Sequence, residues 1–304
     1  MNLLIVNFHY YGNEQYTSGI YPVTPEFFQR QISTLAKEYT FISQVELATY
    51  IQENKYPEGN FCLITFDDGL KQQMQVYNWL LENKIPAIFY VPTKPITESI
   101  VLDVHKLHFV RASIDDTDLI KLLKKDTAYD YSIEDAKKAE GQYKYDNDLA
   151  REIKYQLNFK LNAEAKSAFI NSTFSSLFPN EEKFSQDLYM SEEDIIKIAK
   201  SNMLGSHGHE HIPLAPSPKA KSDIVNSIKY LEKLTDTPVL SFSYPYGSKA
   251  AVNDEITEHF AGSNVAFALT MWRGINDFSG SINPFHLLRV DTNDAPGGKN
   301  YKGL

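Results

Sequence analysis

The stretch Phe61-Cys62-Leu63-Ile64-Thr65-Phe66-Asp67-Asp68-Gly69 decides how this chain is read. An apolar run of one strand's length ends on two adjacent carboxylates and a glycine. Like charges side by side repel, and fixing them at a strand end costs free energy unless a cation binds there. Taken alone, Asp-Asp-Gly also describes an ordinary turn and helix start. The apolar strand before it and the helix pattern over residues 71–83 after it favour a functional strand end. Neighbouring strand-end residues point in different directions, so one carboxylate can hold a metal while the other faces a water.

Far downstream stands Gly205-Ser206-His207-Gly208-His209-Glu210-His211. His207 and His211 have the i, i+4 spacing that puts two imidazoles on one face of a helical turn. An extended segment would instead place all three histidines on one face. We pair His207 with His211 and set His209 behind or outside them. Glu210 is either an acceptor supporting His207 or an exposed acid. One carboxylate and two imidazoles make a mononuclear metal site with a spare carboxylate beside it, an arrangement suited to metal-assisted hydrolysis.

The rest of the chain supports an α/β frame. Strands are predicted over residues 3–8, 61–66, 87–91, 203–206, 239–244 and 265–270, separated by helix patterns. Thr24-Pro25-Glu26 reads as a helix start, with Phe28, Ile32 and Leu35 following at helical spacing. Ile224, Ile228 and Leu231 mark another helix before Pro238. Strand–helix alternation implies a mainly parallel sheet, open or closed into a barrel. Residues 98–183 break the rhythm with charge and helix formers, as over 118–125 and 163–169, and with a polar, tyrosine-rich stretch at 139–148. They read as a helical insertion within a single domain of 304 residues, either a cap over the site or solvated padding. The tail Ala295-Pro296-Gly297-Gly298-Lys299 is expected to be flexible.

Net charge is −9, which disfavours nucleic acid and anionic membranes as partners. Cys62 is the only cysteine and sits in an apolar run, so it is expected to be a buried structural thiol. The short apolar start at residues 3–8 reads as a first strand and not as an export signal. No apolar stretch reaches the ~20 residues of a membrane span. These readings place the protein in the cytoplasm with no stable membrane insertion. His9, Asp67, Asp68, His207 and the Pro245-Tyr246 pair all follow predicted strands. In parallel α/β folds the active site gathers at those carboxyl ends.

Thr65-Phe66-Asp67-Asp68-Gly69, the His207/His211 pair and Ser243-Tyr244-Pro245-Tyr246-Gly247 together resemble the three motifs of the polysaccharide deacetylases, the NodB-like family. The resemblance spans most of the chain except the insertion. It implies a distorted (β/α)7-type barrel. It further implies that Asp68, His207 and His211 hold a divalent metal, usually zinc, and that Asp67 is the general base. The Tyr246 backbone amide would hold the oxyanion.

Two departures stand out. The family often opens its third motif with an arginine that orients the base; here Ser243 stands in its place, with Arg273 or Arg289 as substitutes. The family's late histidine is poorly matched by Pro284-Phe285-His286-Leu287, so His9 becomes the preferred general acid. Trp272, Tyr246, Tyr10 and Tyr11 are candidate aromatic walls for a sugar, with core packing as the ordinary use of each.

The implied activity is removal of an N-acyl group, acetyl foremost, from a small-molecule or glycan substrate. A cytoplasmic location would favour a nucleotide- or lipid-linked amino sugar. The rivals are a deformylase or amidase on the same fold, and a non-catalytic carbohydrate-binding module.

Overall fold

The computed structural model describes residues 1–16, 18–143 and 147–303. The centre of the 139–148 stretch therefore lies outside the described residues. The chain divides into two compact units: residues 1–13, 22–100 and 185–304 form the first, and 14–21 with 101–184 form the second.

The first unit is built on a curled sheet. Its strands are β1 (Asn2–Phe8), β2 (Thr40–Phe41), β3 (Asn60–Phe66), β4 (Ala87–Val91), β5 (Leu204–Ser206), β6 (Ser241–Ser243), β7 (Phe267–Leu269), β8 (Asn276–Asp277) and β9 (Val290–Asp291). The order is β7-β6-β5-β4-β3-β1-β8, with β2 on β3 and β9 on β1. All pairings are parallel except β1 with β8. One late segment touches both ends of the parallel run: Leu287 bridges Leu269 at the end of β7, and Val290 pairs with Val6 of β1. This makes the sheet a distorted (β/α) barrel. The helices are α1 (Pro25–Leu35), α2 (Gln44–Glu53), α3 (Gln73–Glu82) and α4 (Lys94–Glu98), then α5 (Asp103–Ser113), α6 (Asp116–Asp126), α7 (Ile133–Gln142), α8 (Asp148–Tyr155), α9 (Ala163–Leu177) and α10 (Glu181–Leu188), and finally α11 (Glu192–Lys200), α12 (Ala220–Thr235) and α13 (Asp254–Thr257).

Local chemistry explains the elements. Thr24 caps α1 by accepting the Phe27 N–H at 3.2 Å, and Pro25 supplies the first helical φ. From Cys62 to Phe66, β3 is buried on both faces, as a parallel strand between helices and barrel interior must be. Cys62 is fully buried, and burial pushes its thiol well above the usual range.

The two faces separate cleanly. Leu4, Val6, Phe8, Ile64 and Phe66 join the helix-covered core. Leu3, Ile5, Leu63, Ile88 and Tyr90 fill the barrel. On the outer side Phe66 stacks on Phe8 and Phe89 at 5.2 and 4.8 Å. Each buried ring contributes about 1.5–3 kcal/mol. The inward parity has a direct consequence. Leu3, Ile5 and Leu63 are apolar, but Asn7, Thr65 and Asp67 continue the same face toward the carboxyl ends, and His9 follows on that parity. The barrel changes from apolar to polar as it approaches its mouth.

Where Tyr90 crosses the interior, Gly205 makes room: a Cβ there would overlap the Tyr90 ring, which is fully buried. Gly205→Ala is expected to destabilise the protein by about 1–3 kcal/mol through overpacking. Thermal melts check this, and an unchanged midpoint would contradict it.

The second unit is helical wherever its regular structure is described. Helix α5 packs on α9. Phe109, Phe174 and Phe178 gather around Phe184, with ring centroids 4.7 to 5.3 Å from it. Arg111 grips Asp116 through Nε at 3.2 Å and Nη2 at 3.1 Å, a buried pair.

Several sequence expectations are refined. Strands β5, β6 and β7 are three residues each, shorter than predicted. Ladder bonds still reach beyond them, from Phe89 N–H to the Met203 carbonyl at 2.7 Å and from Ala266 N–H to Leu240 at 2.8 Å. The two-residue strands β2, β8 and β9 carry no period long enough to read. The tail is not loose: Ala295 is buried, and Gln31 Nε2 donates to the Thr292 and Pro296 carbonyls at 2.7 and 3.3 Å.

Candidate active site

Asp67 and Asp68 leave β3 in different directions. Asp68 adopts φ +80°, a left-handed conformation rare for a residue with a Cβ. His211 at φ +56° and Tyr246 at φ +62° share it. Such strain persists where surrounding structure enforces it, and it gathers at functional sites.

The turn at Asp68 brings its carboxylate to the histidines. Asp68 Oδ1 lies 3.5 Å from His207 Nε2 and 3.3 Å from His211 Nε2, and all three side chains are buried. A tetrahedral ion with bonds of about 2.1 Å separates its ligand atoms by roughly 3.4 Å. The donor set therefore fits a divalent cation. The tautomer fits as well. His207 Nδ1 lies 2.7 Å from the Ser243 carbonyl, so that nitrogen carries the proton and Nε2 is left as the ligand atom. Burial lowers the His207 pKa, but Asp67 and Asp68 outweigh it, and the net shift is upward. Two carboxylates thus create a place that favours positive charge.

The histidine segment is neither the helical turn nor the extended run that spacing allowed. Residues 207–211 form an irregular loop, with Gly208 at φ +76°. Its backbone still brings His207 and His211 together and turns His209 away, where Nδ1 meets Thr93 Oγ1 at 2.8 Å. Glu210 does not support His207; it pairs with Lys219 at 3.1 Å and Lys94 at 3.5 Å.

Asp67 lies inside the barrel, 2% exposed. Arg289 donates to both its oxygens, from Nη1 to Oδ1 at 2.8 Å and from Nη2 to Oδ2 at 2.7 Å. Asn7 Nδ2 adds a bond to Oδ2 at 3.1 Å. Burial alone would raise the Asp67 pKa; the Arg289 guanidinium, helped by His207 and more weakly by His9, overrides it and holds the carboxyl below the usual range. A carboxylate offers about four lone-pair sites. Of these Oδ2 uses two and Oδ1 one, so Oδ1 keeps an acceptor position.

Arg289 also resolves the departure at Ser243. It is fully enclosed and reaches Ser243 Oγ from Nη2 at 2.9 Å and Asn7 Oδ1 from Nη1 at 3.2 Å. A guanidinium from the segment before β9 fills the space that the small Ser243 leaves. Arg273, the other candidate, is exposed and donates to the Gly303 carbonyl at 3.0 Å.

The remaining predicted residues divide. His9 is half-buried at the end of β1, and its carbonyl accepts Gln73 Nε2 at 2.9 Å. Tyr246 is 46% exposed with its ring 5.1 Å from His211, so it borders the candidate ligand cluster. Trp272 is half-buried, 5.1 Å from the His286 ring. Tyr10 and Tyr11 are buried, and Tyr11 packs on Phe28 at 5.8 Å, so neither is a sugar wall. His286 lies 3.5 Å from Asp254 and packs on Trp272.

Sequence reasoning missed Asn7 and Gln73. Asn7 carried one signal, a polar residue inside an otherwise apolar strand. Gln73 carried none, yet it ties the His9 and Asp67 carbonyls together, donating to the latter at 2.6 Å.

No family model matches the sequence, and no curated protein does. Solved structures do share its fold. The Streptococcus pyogenes deacetylase PplD in complex with acetate superposes with a TM-score of 0.57 at 14% identity, over 96% of this chain and 92% of that one. A de-N-acetylase from Aggregatibacter actinomycetemcomitans gives 0.57 at 11% identity, over 95% and 94%. BC0361, a polysaccharide deacetylase from Bacillus cereus, gives 0.56 at 15% identity; the match covers 96% of this chain and 65% of that protein. The fold is that of the polysaccharide deacetylases.

Proposed function

We propose that this protein is a metal-dependent hydrolase that removes an N-acetyl group from an amino sugar, with membership of the NodB-like deacetylases implied. The observation that carries the reading is Asp68 Oδ1 meeting two Nε2 atoms at 3.3 and 3.5 Å, beside a second carboxylate held by Arg289. The fold shared with deacetylases supports it.

Asp68, His207 and His211 would hold the metal, and two imidazoles with one carboxylate suit zinc. A divalent cation there supplies Lewis acidity, lowering the pKa of water and polarising the acyl carbonyl. Asp67 takes the proton of the attacking water at Oδ1. Its depressed pKa makes it a weak base, adequate only for a water already acidified, which agrees with a cation next to it. The Tyr246 amide holds the oxyanion. His9 gives a proton to the departing amine. Trp272 and Tyr246 present aromatic surface to the sugar. The enclosed Arg289 argues against a degenerate binding module, because the base-orienting cation that Ser243 lacks is supplied from elsewhere.

The test is a product assay. Acetylated sugar monomers, oligomers, nucleotide-linked and lipid-linked forms are incubated with metal-loaded protein while acetate, formate and ammonia are measured. Acetate release, abolished by a chelator and restored by zinc, is expected. Fully loaded protein that releases formate or ammonia, or nothing, would defeat the deacetylase reading. Among the described residues no helix is long and apolar enough to cross a membrane.

A further inference from the structure

Both candidate imidazole ligands hang from one loop, whose backbone bonds at residues 208–210 run to groups outside the segment. The loop is irregular, with left-handed φ at Gly208 and His211. Its two imidazoles nevertheless converge on one carboxylate oxygen. These outside bonds are the restraint the structure shows.

The loop's carbonyls turn to the chain just after β4. Thr93 N–H donates to the Gly208 carbonyl at 3.1 Å and Lys94 N–H to the His209 carbonyl at 3.0 Å. Its amides turn the opposite way, to α12. His209 N–H donates to Asp223 Oδ1 at 3.0 Å, and Glu210 N–H donates to Asp223 Oδ2 at 2.6 Å. One turn further along α12, Ser227 Oγ lies 2.8 Å from Ser206 Oγ, which accepts the Gly208 N–H at 3.4 Å. Asp223 is 3% exposed, so these bonds form away from competing water.

We propose that Asp223 is a positioning residue for the metal-binding loop, its two oxygens fixing consecutive amides and thereby the separation of His207 from His211. The inference rests on the metal reading above. Two amides chelated by one carboxylate fix the backbone through 208–210, because charge-assisted bonds are short and directional. Glycine at 208 is part of the same device. Its φ is left-handed, and a Cβ there would overlap Asp223 Oδ1. Placement in the first turn of α12 offsets part of the burial cost, since the helix N-terminus favours negative charge. An asparagine has the same shape but one acceptor oxygen, and its NH₂ would face an amide N–H, forcing the loop to shift.

The experiment uses the full chain stripped of metal and titrated with cobalt(II), whose visible spectrum reports ligand geometry. Asp223→Asn is expected to weaken cobalt binding by about 10- to 100-fold and to alter the spectrum, with a lowered metal-free melting midpoint from the unmatched buried amide. Gly208→Ala is expected to weaken cobalt binding and alter the spectrum from the loop side, with some loss of metal-free stability because the added Cβ meets Asp223 Oδ1 at a left-handed φ, and it decides the matter if Asp223→Asn does not fold. The double variant should lose less than the two single losses combined, because both act on one contact. Wild-type affinity and spectrum in the variants would overturn the role of Asp223 alone. A wild-type protein that takes up no cobalt would overturn the metal reading and this role with it. Cobalt uptake without acetate release would sink only the deacetylase reading, and the variants would still decide the role of Asp223.

Discussion

Asp68→Asn is expected to lose metal and activity together, while Asp67→Asn keeps the metal and loses turnover by about 10²- to 10⁴-fold, the usual contribution of a general base. The two residues are adjacent and chemically identical, so only their placement separates them. Asp68, turned out of strand geometry by its positive φ, points an oxygen at His207 and His211. An amide there replaces the anionic ligand with a weak neutral oxygen and leaves two imidazoles as the strong ligands, one short of the three of a catalytic site. Asp67 keeps strand parity and points into the barrel, where Arg289 and Asn7 hold it. Its amide would set an NH₂ against a guanidinium, so some stability is lost as well. Metal content per chain and acetate release, measured on both variants, check the division. Two variants that both bind metal and both turn over would remove the basis for it.

How much of this was legible depended on how far apart the cooperating residues lie. The strands β1, β3 and β4 announced themselves because each is buried on both faces over most of its length and reads as a mainly apolar run, broken inside β1 by Asn7 and inside β3 by Thr65. The convergence of Asp68, His207 and His211 was legible because they sit at strand ends and in a dense histidine cluster. The loop that carries His207 and His211 was not, since its shape is imposed by Thr93 and Asp223 and not by its own spacing. Arg289 was one of two candidates for the missing cation. Only the closure of the barrel, which brings Leu287 to Leu269 and Val290 to Val6, sets it over Asp67. Spacing within a segment is visible in a sequence; contacts made by closing a sheet are not.

Arg289→Met is expected to be the most damaging change away from the metal ligands: kcat lower by about 10²- to 10³-fold and stability lower by about 3–5 kcal/mol, the cost of leaving a buried charge without its partner. The sign of the pH effect follows from what acts on Asp67. Burial pushes its pKa up, and Arg289 is the main influence pulling it down. In the wild type the net shift is downward. The stability this pair contributes is therefore present above the ordinary carboxylate pKa of about 3.9 and is lost as pH falls through the lower folded value. Without Arg289 the effect of burial remains, so the carboxyl takes up a proton at higher pH. The acid limb of kcat/KM should accordingly move upward in the variant. Arg289→Lys keeps a charge but not the fork that spans both oxygens, and a loss of about 10-fold is expected, at the scale of one weakened charge-assisted contact. Ser243 offers a sharper check. Its Oγ lies 2.9 Å from Arg289 Nη2, so an arginine introduced at 243 starts beside the vacated position. Ser243→Arg combined with Arg289→Met should recover part of the lost turnover and bring the acid limb back down, while metal content stays at the wild-type level throughout. A pH–rate profile of the three variants, read beside their metal content, tests this; an Arg289→Met enzyme with an unmoved acid limb and full kcat would show that Asp67 does not depend on Arg289.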